Sequence, residues 1–170
     1  MMKSIVEEII RTTRDTELLL QTERDFLFLK PSIDEWSVLE CLTHLVLVEE
    51  SVLNDVLLQP FVGEGPIQTF EVSKLKHLLI NKRDVKLDAP DLFVARGQFV
   101  DARFAFDRLV IVRDGVMRLL SGDAGKFDGY LFRHPRLGNM TRLDWVWFCI
   151  AHADRHVMQM RDVLDKMAKI

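Results

Sequence analysis

His152 and His156 stand four residues apart in the run His152-Ala153-Asp154-Arg155-His156, inside a long helical pattern. On an α-helix that spacing projects both imidazoles from one face, close enough to share a single metal ion. One helix supplies only two ligands here, so a third must come from another element. His44 lies midway along a second strongly helical segment. If the two helices are neighbours, three neutral imidazoles converge and leave the ion's double positive charge intact, with coordination positions open. In favourable zinc sites this arrangement brings the pKa of bound water to roughly 7. The same arrangement is a Lewis acid that binds and activates a thiolate. The competing reading is structural, because a buried histidine bonded to a carboxylate or carbonyl is common. Spacing alone leaves both open.

Four helical patterns must position these residues. The first runs from about Lys3 to Leu29, with Ile5, Ile9, Leu19, Leu20 and Phe26 at helical spacing, and Pro31 ends it. The second starts at Ser37, where Ser37-Val38-Leu39-Glu40 reads as a capping box, and continues through His44 and Val56 to Pro60. It is apolar around much of its circumference and is expected to be the most buried. A long connection follows, to about Arg96, with loop signals at Gly63-Glu64-Gly65-Pro66 and Asp88-Ala89-Pro90 and a short helix expected over Glu71 to Lys82. An excursion of that length crosses the bundle or covers a site. The third helix spans roughly Gln98 to Leu120, closed by Ser121-Gly122. After an irregular stretch to Met140, Thr141 caps the fourth, with Asp144 at the third position. No strand pattern is evident. The expectation is an all-α, single-domain four-helix bundle over residues 1–170, with a crossover between helices two and three.

Bulk properties narrow the function classes. With 23 basic and 26 acidic residues, net charge −3, the chain shows no basic stripe, which argues against a nucleic-acid partner. No apolar stretch reaches the roughly 18 residues of a membrane span, and the N-terminus enters amphipathic helix without a signal region. Cys41 and Cys149 sit in apolar helical runs and read as small core residues of a reducing compartment. A cytoplasmic protein with no membrane partner is expected.

Other polar residues compete for roles around the histidines. The fourth helix carries one stripe of Trp145, Phe148, His152, His156, Gln159 and Val163, which turns both imidazoles inward. Glu40, one turn before His44, is a candidate to orient that ring or to relay a proton, set against its part in the capping box. Gln159 is a candidate to bond a metal-bound water. Arg113 lies on or beside the apolar face of the third helix and is a candidate anchor for a substrate carboxylate, although pairing with a bundle carboxylate is the more frequent outcome. Trp36 and Trp145 read as core anchors, His134 as a loop-fixing residue, and His77 as solvated. Thr12 and Thr16 either leave a wet cavity or bond to their own helix backbone.

The segment Glu35-Trp36-Ser37-Val38-Leu39-Glu40-Cys41-Leu42-Thr43-His44-Leu45 resembles the tryptophan-serine and helix-two histidine segment of the DinB-like superfamily. His134-Pro135-Arg136-Leu137-Gly138-Asn139-Met140-Thr141, then Trp145, His152, Arg155, His156 and Gln159, resembles its fourth-helix signature. Lys86-Leu87-Asp88-Ala89-Pro90 is similar to its middle connection. The resemblance covers nearly the whole chain. It implies a four-helix bundle, often a homodimer, whose histidine triad binds a divalent metal, commonly zinc or nickel; the matching positions are His44, His152 and His156. Related proteins include S-transferases that use low-molecular-weight thiols and metal-dependent hydrolases. The expectation is therefore a metal-dependent transferase or hydrolase acting on a small molecule. The alternative is a non-catalytic metal-binding or helical interaction module. A structural metal usually takes four protein ligands, so three histidines favour an open site.

Overall fold

A computed structural model describes residues 2–22, 24–59, 75, 77–81, 89–122 and 131–169. Four long helices dominate it: α1 (Met2–Leu19), α2 (Val38–Val52), α3 (Ala102–Ser121) and α4 (Arg142–Met167). The caps follow from side-chain chemistry. Ser37 accepts from the Glu40 N–H while Glu40 accepts from the Ser37 N–H, and Thr141 and Asp144 make the same reciprocal pair at the start of α4. Asp101 caps α3 by accepting from the Arg103 and Phe104 amides, so that helix begins a few residues later than apolar periodicity suggests.

The core falls into two clusters, which fix helix directions. One gathers Val38, Leu42 and Leu45 of α2, Ala105 and Leu109 of α3, and Val157, Met160 and Val163 of α4. The other gathers Ile5 and Ile9 of α1, Val48 and Val52 of α2, Val116 and Leu120 of α3, and Trp145 and Phe148 of α4. Hence α2 and α3 run parallel, and α1 and α4 run antiparallel to them. α2 packs on α3 and α4, and α1 packs on α4 and α3. Two parallel neighbours cannot be joined by a tight turn, so the α2–α3 connection has to travel the length of the bundle. Of the short helix expected there, only Leu75 and residues 77–81 are described; 77–81 form a π-helical turn. Gly63-Glu64-Gly65-Pro66 and Lys86-Leu87-Asp88 lie outside the described residues.

Two expectations are corrected. The first helix stops at Leu19 rather than Leu29, and the chain turns so that a short 3-10 turn, Arg24–Leu27, buries Leu27 in the core. A straight helix to Leu29 would reach about 40 Å and carry those apolar residues past the bundle. The stretch before α4 also contains a two-stranded antiparallel hairpin, β1 (Leu131–His134) and β2 (Gly138–Thr141), with Leu131 opposite Thr141 and His134 opposite Gly138. Gly138 adopts φ +80°, a conformation side chains resist, to close its turn. The hairpin is tied to α4 by the Trp145 indole N–H, which donates to the Phe132 carbonyl at 3.4 Å.

α2 does not stop cleanly. Leu53–Leu57 continue it as a π-helical turn. The Arg142 guanidinium, at the first turn of α4, donates to the carbonyls of Val56 and Gln59, serving acceptors that a helix end leaves without partners. Gly115 allows α3 to approach this turn: a Cβ there would lie 3.1 Å from a Leu53 methyl.

Candidate metal centre

Between the two apolar clusters lies a layer of buried polar side chains, including Thr12, Thr16, Thr43, His44, Glu49, Arg113, His152 and His156. The packing of α2 against α4 brings three of these together. Nε2 of His44 lies 3.3 Å from Nε2 of His152, which lies 3.1 Å from Nε2 of His156. The three residues are 5%, 8% and 5% exposed. Zinc–imidazole bonds near 2.0–2.1 Å in a tetrahedron separate ligand nitrogens by about 3.3 Å. The cluster therefore has the dimensions of a metal site, and it is the metal-ligating constellation of histidine, cysteine and carboxylate groups found among the described residues.

Tautomers reinforce this fit. His44 Nδ1 lies 2.7 Å from the Phe93 carbonyl, which can only accept, so Nδ1 carries the proton and the Nε2 lone pair faces the cluster centre. Nδ1 of His152 and of His156 are buried and make no hydrogen bond among the described residues. Gln159, half-buried one turn on, stands close enough to favour the protonated ring of His156, but its amide closes no well-aligned bond to Nδ1.

Electrostatics keep the rings neutral. Burial pushes the pKa of all three imidazoles down, to about 3 for His156. Their mutual proximity and the nearby Arg155 push His152 and His156 further in the same direction. Neutral imidazoles are the form a metal ion binds. Arg155 also donates at 2.8 Å to the Leu79 carbonyl, which fastens the described turn of the α2–α3 connection to the helix carrying two ligands.

Aromatic rings wall the cluster. Trp36, half-buried just before α2, has its ring 5.0 Å from His44 and stacks at 6.2 Å on His156. Phe148 stacks at 5.3 Å on His152. His134, at the end of β1, lies 4.9 Å from Phe148 and 5.1 Å from Trp145. Its Nδ1 accepts the N–H groups of Arg136 and Leu137, each at 3.1 Å, so it does fix the hairpin turn. Burial, with Arg136 adding to it, holds its pKa at about 4. His77 is exposed.

Other candidates go elsewhere. The Glu40 carboxylate closes the capping box and pairs with Lys30 at 2.7 Å; the ring of His44 is oriented by the Phe93 backbone instead. Arg113 is directed away from any ligand role: it makes two bonds to Glu49, at 2.6 and 2.9 Å, and donates to the Thr13 hydroxyl at 2.9 Å. A cavity of about 20 Å³, room for about one water, lies beside that pair and is lined by Ile9, Thr12 and Cys149. Thr12 and Thr16 donate to carbonyls of their own helix. Cys41 and Cys149 are free thiols whose pKa burial pushes up.

Sequence reasoning missed Phe93 altogether. Its contribution is a backbone carbonyl, so no side-chain motif could signal it. It also ranked Trp36 as a core anchor, whereas the ring faces two of the three imidazoles.

Comparison with known proteins agrees with the helical-bundle fold. The chain is 25% identical over 140 residues to the uncharacterized protein YuaE of Bacillus subtilis (strain 168), an alignment covering 82% of this chain and 84% of that protein. The crystal structure of TT2238, a four-helix bundle protein, superposes with a TM-score of 0.60 at 15% identity, covering 95% of this chain and 99% of that one. Residues 8–160 match the model of the DinB superfamily, and with that span the chain belongs to this superfamily.

Proposed function

We propose that the chain is a divalent-metal-dependent enzyme in which His44, His152 and His156 hold zinc or nickel and a small molecule occupies the remaining coordination positions. The observation that carries this reading is the convergence of three buried Nε2 atoms at 3.1 and 3.3 Å, with His44 already in the ligating tautomer. When bound, the ion would supply Lewis acidity, either acidifying a water or holding a thiolate, which supports hydrolase or thiol S-transferase chemistry. The chain's own residues do the rest. Phe93 orients His44, burial keeps the imidazoles neutral, and Trp36 and Phe148 shield the ligands from water. Among the described residues no carboxylate or thiolate joins the three histidines to complete a closed tetrahedron, which favours an open site.

The burial of all three ligands supports a second reading, a metal-stabilised bundle with no catalytic role. Metal analysis of protein purified without a metal-binding tag tests the common premise. Wild type is expected to carry about one divalent ion per chain, and His152→Ala or His156→Ala to carry almost none while circular dichroism stays helical. Retention of the ion in both variants would sink the ligand assignment. A metal-loaded protein that binds no thiolate or other exogenous ligand would favour the second reading.

A further inference from the structure

The imidazole of His134 has a feature that its part in the turn does not explain. Because Nδ1 accepts two backbone N–H groups, it carries no proton. The one proton of the neutral ring must then sit on Nε2. Among the described residues no group bonds Nε2; the remaining contacts of the ring are the edges and faces of Trp145 and Phe148. Those two residues begin the α4 stripe that continues through His152 and His156. His134 thus stands over the face of α4 that holds the metal ligands, next to the ring stacked on His152. Phe148 is the bridge between them: its ring lies 4.9 Å from that of His134 and 5.3 Å from that of the ligand His152.

We propose that His134 is a substrate-binding residue: its Nε2–H is a fixed donor for an oxygen acceptor, a carboxylate or carbonyl, on a small molecule whose other end sits on the metal. This rests on the metal reading above and adds the chemical class of the ligand. It must pair a metal-seeking atom with an oxygen acceptor several bonds away. A neutral donor suits that place because it adds no positive charge beside the ion, while its orientation is set in advance by the turn. The hairpin then has two tasks that use opposite ring nitrogens, one holding the turn and the other meeting the ligand.

The two nitrogens can be tested apart. Asparagine places an acceptor where Nδ1 lies and can bond the amide two residues on, but offers nothing at Nε2. Glutamine reaches the Nε2 position with an N–H and leaves the Nδ1 position empty. The experiment uses cobalt(II)-loaded full chain, with thiolate binding followed by visible absorption, and compares mercaptopropionate with propanethiol. In wild type the carboxylate is expected to tighten binding roughly 3- to 10-fold. His134→Asn should lose that gain with propanethiol affinity unchanged, and His134→Gln should keep most of it. No gain in wild type, a gain preserved in His134→Asn, or one lost only in His134→Gln would overturn the assignment and leave His134 as a turn residue. A wild-type protein that takes up no cobalt would instead bring down the metal reading, and this proposal with it.

Discussion

At the scale of single residues, the polar layer pairs a candidate site with a purely internal one. Arg113 and Glu49 have side chains only 4% and 6% exposed, and each compensates the other's charge away from water. Removing one partner strands the other, which generally costs about 3–5 kcal/mol, whereas replacing both with apolar residues is far gentler. Glu49→Leu should therefore shift the urea midpoint strongly downward, and Glu49→Leu with Arg113→Met should recover most of the loss. Equal, additive losses would contradict the pairing. Arg113 on an apolar helix face was legible in the sequence, but its partner 64 residues away was not. The same contrast holds within the triad. Helical spacing announces His152 and His156, whereas the acceptor that sets the tautomer of His44 is a backbone carbonyl 49 residues distant.

Elements were legible where local chemistry writes their ends. Ser37 with Glu40 and Thr141 with Asp144 mark the starts of α2 and α4 because an N-cap needs a short acceptor followed three residues later by a carboxylate. The hairpin was not, since strands of four residues around Pro135 and Gly138 give no alternation long enough to distinguish from a loop. The C-terminal end of α2 was blurred for another reason. Its carbonyls are served from outside by Arg142, and no local stop signal is needed before Pro60. Arg142→Ala should accordingly fray residues 53–59, with faster amide exchange there and a loss of about 1–3 kcal/mol in stability. Unchanged exchange in that turn would show that water replaces the guanidinium without cost.

For the molecule as a whole, acid is the informative perturbation. His44, His134, His152 and His156 all have pKa values pushed below the ordinary range in the folded chain, to about 4 for His134 and about 3 for His156. Unfolded histidines take up protons near pH 6.5, so the unfolded state binds protons first as pH falls. In the metal-free chain this stability is complete above about pH 6.5 and is lost as pH drops toward the folded values. Urea midpoints of chelator-treated protein should fall steeply between about pH 7 and pH 5; a flat profile would mean the rings are not held neutral. No helix among the described residues is long and apolar enough to cross a membrane. His44 and His152 are 108 positions apart along the chain, so an ion gripping both would act as a staple across most of the sequence. The entropy such a clasp removes from the open chain grows only with the logarithm of the enclosed length, about 0.6 kcal/mol per doubling. Insertions and deletions between α2 and α3 would therefore barely alter its strength, which leaves that stretch free to diversify around a fixed set of ligands.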